Sequence, residues 1–388
     1  YHGKLVFAQI MEHWPVHEFQ KCVTRYDGNY KTRGFSCHDQ FLCLSFAQLT
    51  FRESLRDIEI GLRSVPGKLH HLGFRGHIAR STLADANETR DWRIYADFAQ
   101  VLIGIARPMY AAEPLGIDLN ATVYALDSTT IDLCLAVFPW AHFRQKKAAV
   151  KMHTLLDLRG PIPTFIEVSD GKRADVNVLD DIAFEPGAFY IMDRAYLDFG
   201  RLHALHRAGA FFVTRTKAGV ILKRRYSHAV PAATGLRSDQ TVVVGTVGSA
   251  KRYPDTLRRI RFIDPIKGTP LIFLTNNFDL PALTITQLYK SRWQVELFFK
   301  WIKQHLRIKA FYGHSENAVK TQIWIAVATY VLIAILKKRL CLGASLHEIL
   351  QVLSLNLFER TPILKACGES ISQEKSTPFS TQLNLLDL

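Results

Sequence analysis

The stretch LYKSRWQVELFFKWIKQHL, residues 288–306, sets four polar side chains among bulky apolar ones. The four residues are Tyr289, Arg292, Glu296 and Lys303. At about 100° per residue they span only about 60° of a helix, and they therefore share one face. The rest of the surface is mostly apolar, which predicts a buried helix. Because buried charges are costly unless they are paired or bind a ligand, this face predicts a site that holds an anion and a metal together.

The composition points to a large basic protein. The chain has 388 residues, with 49 Lys and Arg against 35 Asp and Glu, and a net charge of +14. This length is enough for two or three domains. The charge favours a polyanionic partner, with nucleic acid first and an anionic membrane surface second. An ordinary basic soluble protein is the alternative.

Cysteine usage and hydropathy narrow the class further. The six cysteines form no Cys-x-x-Cys pair, which is typical of a reducing cytosol. Cys37, His38 and Cys43 suggest a metal cluster, but buried thiols on a helix are the favoured interpretation. The apolar run at 323–336 is shorter than the roughly 20 residues that cross a bilayer, so it predicts a core helix and no membrane partner.

The chain divides into segments of different pattern. Residues 1–115 have helical spacing, and Ser81 is a predicted N-cap of a helix that follows a Gly-rich break. This arrangement is compatible with a helix-turn-helix reader of DNA, with a plain helical bundle as the alternative. The predicted domains are an N-terminal helical, DNA-end-binding domain at 1–115, a catalytic core at 116–216 and 283–340, a basic β insertion at 217–282, and a C-terminal tail at 341–388.

The predicted core is of the α/β class. Short apolar runs predict strands at 122–126, 148–156, 163–168, 189–192 and 210–214, with a helix at 198–207 before the last of them. This order is that of a ribonuclease H-like sheet. The segment that follows alternates in the manner of β-strands and carries 11 Lys or Arg against 3 Asp between Lys217 and Lys267. That charge favours a surface for the phosphate backbone over a merely solvated one.

Two aspartates follow apolar strands. Asp127 ends the run VYALD and Asp193 ends FYIMD, next to Arg194. Ligands bind at the carboxyl ends of strands in open α/β sheets, although an Asp that caps a turn is the alternative for each. Rival aspartates are Asp132, Asp157, Asp170, Asp175 and Asp198, of which Asp170 is a predicted turn residue and Asp198 a predicted helix cap.

Asp127, Asp193 and Glu296 together suit a pair of divalent cations. Mg²⁺ prefers oxygen ligands and shares its other positions with phosphate and water. Two such ions can activate a nucleophile and stabilise the leaving oxygen in phosphoryl transfer. Arg292 and Lys303 would then hold DNA phosphates, and Tyr289 would add a hydrogen bond.

With these residues in view, the chain resembles the DDE transposases of the insertion-sequence-four family. Their signature Tyr-x2-Arg-x3-Glu-x6-Lys matches Tyr289, Arg292, Glu296 and Lys303 with its spacing intact, downstream of LDSTT and MDR. The resemblance implies a ribonuclease H-like core with a β-strand insertion before its last catalytic helix. It also implies cut-and-paste transposition with two Mg²⁺ ions, for which Mn²⁺ can substitute, at Asp127, Asp193 and Glu296.

The same resemblance implies the partners of the chain. These are double-stranded DNA, both at the terminal inverted repeats of an element and at its target, and a second copy of the chain in a homodimer. Tyr289, Arg292 and Lys303 would grip the transferred end and a base extruded near it, and Arg194 is a further DNA-binding candidate. The expected location is the cytoplasm of a prokaryote, at the nucleoid.

One departure from the family concerns hairpin formation, which uses an aromatic residue of the insertion to stack on a flipped base. All six tryptophans lie outside 217–282. The remaining candidates are Phe262, Phe273, Tyr226 and Tyr253, with Trp293 as an outside candidate whose helical position favours the core. Two other functions stay open: a nuclease that cuts without inserting, and a DNA-binding regulator that has lost catalysis.

Overall fold

The computed structural model describes residues 3–144, 147–231, 234–264, 268–304 and 311–372. Contacts between residues divide the chain into two compact units. One unit joins residues 1–106 to residues 304–388, and the other comprises residues 107–303. The predicted core extended to residue 340, whereas the segment after residue 303 groups with the N-terminal helices.

The described residues form thirteen α-helices, numbered here in chain order. They are α1 (Val6–Met11), α2 (Val16–Arg25), α3 (Cys37–Leu49), α4 (Leu55–Arg63), α5 (Arg80–Thr89), α6 (Arg93–Tyr110), α7 (Phe199–Arg207), α8 (Val247–Arg252), α9 (Ala282–Ser291), α10 (Trp293–Gln304), α11 (Glu316–Arg339), α12 (Leu346–Asn356) and α13 (Ile363–Ser372).

The first unit is helical and is built around α11. This helix is long and apolar enough to pass a test for a membrane span, but 94% of its most apolar window is buried inside the protein. Helix α3 lies against it, where the hydroxyls of Ser45 and Thr329 are 3.0 Å apart. The Gln48 side chain donates to the carbonyl oxygen of Gln322 at 3.3 Å. These contacts agree with the prediction of a core helix at 323–336.

The predicted helix-turn-helix differs from the structure in two respects. Ala79 is the N-cap residue of α5, and Ser81 lies inside the helix without capping it. Residues 64–79 separate α4 from α5 and contain two short 3₁₀ helices, Pro66–Lys68 and His70–Leu72. This connection is longer than the three- or four-residue turn of the motif.

The second unit contains one sheet of ten strands. The strands are β1 (Val123–Leu133), β2 (His142–Arg144), β3 (Lys147–Asp157), β4 (Ile162–Asp170), β5 (Phe189–Met192), β6 (Phe211–Arg215), β7 (Leu222–His228), β8 (Leu236–Val244), β9 (Leu257–Ile263) and β10 (Pro270–Thr275). Their order is β2-β3-β1-β5-β6-β10-β9-β8-β7, and β4 pairs with β3 on a separate branch. The five strands predicted from apolar runs correspond to β1, β3, β4, β5 and β6.

The central strands are parallel and the outer ones antiparallel. Strand β5 is parallel to both β1 and β6, whereas β3 is antiparallel to β1 and β4. The basic insertion continues this sheet, because β10 pairs antiparallel with β6 and leads on to β9, β8 and β7. Insertion and core therefore share one continuous hydrogen-bonded sheet.

Alternation along the strands divides the sheet into two faces. Leu126, Met192 and Leu274 pack into one buried cluster with residues of α7. The next residue of β10 toward the N-terminus, Phe273, points to the other face and stacks near Tyr289 of α9, with ring centroids 4.9 Å apart. Helices α7 and α9 thus cover opposite faces, and the candidate site lies on the α9 face.

Candidate functional site

The two candidate aspartates occupy neighbouring strands at the same level of the sheet. Parallel pairing of β1 with β5 runs up to the partners Leu126 and Met192. Asp127 is the next residue of β1, and Asp193 directly follows the last residue of β5. Because Leu126 and Met192 face the α7 side, Asp127 and Asp193 both face the α9 side. The structure therefore brings together two residues that the sequence separates widely.

Asp127 does not end its strand, and the prediction was wrong on this point. Strand β1 continues to Leu133 because β3 pairs with it along its whole length, and Asp127 lies opposite Thr154. Asp193 does lie directly after its strand. Its Oδ1 accepts a hydrogen bond from the Ala195 amide at 2.7 Å, and its carbonyl oxygen accepts one from Thr214 Oγ1 at 3.1 Å.

The helix that carries the polar stripe is interrupted at Arg292. Helix α9 ends at Ser291, and α10 begins at Trp293. The Arg292 amide donates to the Tyr289 carbonyl oxygen at 3.2 Å, an i to i−3 bond that marks a tight turn. The predicted single helix is therefore two helices, and Arg292 lies at their junction.

Arg292 links two of the three candidate carboxylates. Its Nη1 donates to Asp127 Oδ2, and its Nη2 donates to Glu296 Oε1 at 2.6 Å. The Arg292 side chain is 15% exposed and that of Asp127 20%, but the Glu296 side chain is 58% exposed. Glu296 is thus more open to solvent than a buried helix predicts, and the guanidinium connects it to the sheet.

The three carboxylates lie close enough to affect one another. Burial raises the pKa of Asp127 to about 6, against the opposing effect of the Arg292 guanidinium. The negative charges of Asp193 and Glu296 raise it further. Negative charge is thus concentrated around one partly buried carboxyl, which is an environment that a cation stabilises.

Hard oxygen donors of this kind suit a divalent cation such as Mg²⁺. Within the described residues, no group of three His, Cys, Asp or Glu side chains has the spacing of a formed metal site. The Arg292 guanidinium contacts both Asp127 and Glu296. The three carboxylates supply oxygen donors of the type that such a cation prefers.

The other predicted DNA-binding residues are Tyr289, Lys303 and Arg194. Tyr289 is 9% exposed, and burial raises the pKa of its hydroxyl. Lys303 Nζ donates to the carbonyl oxygen of Thr130 in β1 at 2.6 Å. Arg194 is exposed and directly follows Asp193. All of them belong to the same unit as the carboxylates.

Exposure separates the aromatic candidates for base stacking. Phe262, Phe273 and Tyr253 are 5%, 0% and 1% exposed, so they belong to the core. Tyr226 is 62% exposed and Trp293 is 53% exposed. Trp293 was predicted to favour the core, but it follows the Arg292 junction and faces solvent.

The basic side chains of the insertion differ in their exposure to solvent. Strand β7 is the last strand of the sheet, and its Lys223, Arg224 and Arg225 are exposed. Arg258 of β9 is instead paired with Asp239 of β8, and each side chain is 7% exposed. A contact surface for phosphates is therefore restricted to part of the predicted segment.

Sequence reasoning missed a polar cluster on the face of the sheet opposite to Asp127. Ser128, Lys151 and His153 converge there with Asp175, which was weighed only as a rival carboxylate. The available signal was the alternation of Lys151 and His153 in KMHTLLD, which places both side chains on one face of β3.

Comparison with known families decides the class of the protein. The family described as "Transposase DDE domain" matches residues 119–332, which is more than half of the chain. The chain belongs to this transposase family. A family described only as a domain of unknown function matches residues 2–75.

Relatives of this DDE transposase come from several bacteria. The protein y4zB of Sinorhizobium fredii, named as a transposase, is 35% identical over 257 residues, or 65% of this chain and 70% of that protein. The transposase named for insertion sequence element IS5377 of Geobacillus stearothermophilus is 30% identical over 212 residues, 54% of this chain and 55% of that protein. The one named for element IS4SA of Synechocystis is 22% identical over 325 residues, 83% of this chain and 89% of that protein.

Among solved structures, the piggyBac transposase in a synaptic complex with hairpin DNA superposes with a TM-score of 0.46 and 10% identity. The match covers 96% of this chain and 82% of that chain. The family assignment itself makes the chain a transposase of insertion sequence elements, for which DNA cleavage and strand transfer are the activity class.

Proposed function

We propose that this transposase moves its insertion sequence by a cut-and-paste reaction at Asp127, Asp193 and Glu296. The observation that carries the proposal is the placement of Asp127 and Asp193 at the same level of two neighbouring parallel strands, on one face, with Glu296 joined to Asp127 by Arg292. The strand order β4-β3-β1-β5-β6 supports a ribonuclease H-like core.

The three carboxylates would hold two Mg²⁺ ions, with Mn²⁺ as a substitute. When bound, the ions supply a polarised phosphate, an activated water or 3′-hydroxyl and a stabilised leaving oxygen. Asp127 would be held by strand β1, and Asp193 by its position directly after β5 and by the hydrogen bond of its carbonyl oxygen with Thr214 of β6. Glu296 provides the third carboxylate from a helix that begins next to the junction at Arg292.

Arg292 would have two successive partners. It neutralises Asp127 and Glu296 in the structure described here. Once cations take over that neutralisation, the guanidinium is free to bind a DNA phosphate in the same place. Lys303 and Arg194 would bind neighbouring phosphates, and Tyr289 would position the transferred end by a hydrogen bond.

The remaining parts of the chain would also bind DNA. The exposed cations of β7 fit a duplex backbone, and the N-terminal helical unit would bind the terminal inverted repeats. Tyr226 and Trp293 have the exposure needed to stack on a flipped base. A homodimer that holds both ends completes the proposed complex.

The test is strand cleavage by purified protein with Mg²⁺ and DNA that bears the ends of its own element. We expect Asp127→Asn, Asp193→Asn and Glu296→Gln each to reduce the cleavage rate about a thousandfold, because metal catalysis contributes several kcal/mol. DNA binding should survive in all three variants.

Asp132→Asn is the matched control, since Asp132 is an exposed carboxylate of the same strand β1. It should cleave at the wild-type rate. Cleavage that persists in Glu296→Gln would remove Glu296 from the catalytic set. Cleavage without joining to target DNA would identify a nuclease instead of a cut-and-paste enzyme.

A further inference from the structure

The face of β1 opposite Asp127 changes character at the level of the candidate site. Tyr124 and Leu126 on that face are buried apolar residues of the core. The next residue on the face is Ser128, whose Oγ donates to Asp175 Oδ1 at 2.7 Å. The apolar core therefore gives way to a polar contact directly behind Asp127.

A second strand contributes to the same contact. Lys151 of β3 places its Nζ 3.1 Å from Asp175 Oδ1 and also donates to the Arg173 carbonyl oxygen at 2.9 Å. The Lys151 side chain is 12% exposed and that of Asp175 28%. One carboxylate oxygen thus receives bonds from two strands, in a region where polar groups are costly unless they are paired.

The contact between Ser128 and Asp175 lies just beyond the point where β1 stops pairing with β5. Hydrogen bonding between β1 and β5 stops after Leu126, so beyond that level β1 is paired with β3 only. Asp127 is therefore the first residue of β1 without a partner on the β5 side. Asp175 approaches from the 3₁₀ segment Asp175–Asp180 and contacts Ser128, the next residue in the chain.

The backbone of Ser128 also orients the carboxylate of Asp127. The Ser128 amide donates to Asp127 Oδ1 at 2.8 Å. A shift of Ser128 would accordingly move both the strand and the rotamer of Asp127. Tyr196 lies three residues after Asp193 and is buried in the same neighbourhood. Burial raises the pKa of its hydroxyl, and the charges of Asp127, Asp175 and Asp193 raise it further.

We propose that Asp175 is a positioning residue of the transposase, which holds Ser128 and Lys151 and thereby fixes Asp127 for metal binding. This inference rests on the proposed function, because it assumes that Asp127 is a metal ligand. Partners behind a metal ligand affect metal affinity by about 10- to 100-fold, and a displacement of about 1 Å at a reacting group has a similar effect on rate.

The experiment compares Asp175→Ala, Asp175→Asn and Ser128→Ala with the wild type. The Mg²⁺ concentration for half-maximal cleavage of a DNA end should rise at least tenfold in Asp175→Ala and Ser128→Ala. This concentration should rise less in Asp175→Asn, because the amide keeps an oxygen that can accept the hydrogen bond from Ser128. Binding of Mn²⁺, followed by the loss of its free electron paramagnetic resonance signal, should weaken in the same order.

Asp180→Ala is the matched control. Asp180 lies in the same 3₁₀ segment, and its carboxylate bonds to Arg201, without a bond to Ser128 among the described residues. Its Mg²⁺ requirement and Mn²⁺ affinity should equal those of the wild type. If Asp175→Ala does not fold, Ser128→Ala decides, because it leaves the pair of Asp175 and Lys151 in place.

Unchanged Mg²⁺ and Mn²⁺ dependence in a folded Ser128→Ala protein would overturn the positioning role. Failure of the wild type itself to bind Mn²⁺ would be a different result, since it would contradict the proposed metal centre. A uniform loss of affinity in Asp175→Ala, Ser128→Ala and Asp180→Ala would also overturn the inference, because it would show general destabilisation of the segment.

Discussion

Two arginines of the same sheet-containing unit are paired with carboxylates, and their environments differ. Arg258 contacts both oxygens of Asp239, at 2.9 and 2.7 Å, and also donates to the Leu280 carbonyl oxygen at 2.6 Å. Arg292 divides its Nη groups between Asp127 and Glu296, and its buried Nε has no hydrogen-bond partner among the described residues. Every nitrogen of the first guanidinium has a hydrogen-bond partner, whereas the Nε of the second has none among the described residues.

We interpret the Arg258 pair as structural and the Arg292 cluster as part of the proposed functional site. Asp239 and Arg258 satisfy each other on adjacent strands, so nothing further is needed to stabilise them. Around Arg292 the carboxylates outnumber the cation, and the pKa of Asp127 is raised to about 6. Incomplete compensation of this kind is typical of sites that bind a further ligand.

The largest expected effect is on stability at the structural pair. Arg258→Met leaves Asp239 buried without its cation, and we expect the free energy of unfolding to fall by about 3–5 kcal/mol. Arg292→Met should lower it by about 1 kcal/mol or less, because Glu296 is largely in solvent and Asp127 can take up a proton. Urea denaturation of both variants measures the contrast. Equal losses would remove the distinction between the two arginines.

The second prediction concerns the pH dependence of stability that the buried His153 of β3 produces. Burial lowers the pKa of His153 to about 4. As the pH falls below about 6.5, His153 binds a proton in the unfolded chain but stays neutral in the folded chain. The free energy of unfolding therefore decreases until about pH 4, where the folded chain is protonated as well. Between pH 7 and pH 4.5 this should lower the free energy of unfolding by about 2 kcal/mol.

Urea denaturation of wild type and His153→Gln at both pH values isolates the contribution of His153. The glutamine variant lacks this titration, so its loss of stability on acidification should be smaller than that of the wild type by about 2 kcal/mol. The same loss in both proteins would show that His153 carries its proton in the folded state.

The smallest expected effect concerns the exposed arginines of the insertion. Replacement of both Arg224 and Arg225 by Gln should reduce the slope of log affinity for DNA against log salt concentration by about 2, since each phosphate contact contributes about 0.9. Arg252→Gln is the control, because Arg252 is already paired with Asp198. Fluorescence anisotropy over a range of salt concentrations gives the slopes. If Arg252→Gln reduced the slope as much as the double variant does, the proposed contact surface on β7 would be contradicted.

Much of the sheet was predictable because each central strand is a short apolar run between turn residues. The runs that end at Asp127 and Asp193 therefore identified β1 and β5 and both aspartates. Two features depend on distant residues and were not predictable. Strand β1 passes beyond Asp127 only because β3 pairs with it, and the apolar pattern across Arg292 is continuous although the helix breaks there.

The polar cluster at Asp175 shows the same limit at the level of single contacts. Ser128, Lys151 and Asp175 lie far apart in sequence, and only the pairing of β1 with β3 and the path of the segment after β4 bring them together. Exposure is likewise a tertiary property, which is why Trp293 was predicted to favour the core and the buried Phe273 stood among the candidates for base stacking.

The central claim is that Asp127, Asp193 and Glu296 hold the divalent cations with which this transposase cuts DNA. Calorimetric titration of Mn²⁺ into the protein bound to a DNA end tests it most directly, with wild type, Asp193→Asn and the control Asp132→Asn compared. We predict that Asp193→Asn binds Mn²⁺ at least tenfold more weakly, whereas Asp132→Asn binds as the wild type does. Equal Mn²⁺ affinity in all three proteins would contradict the claim.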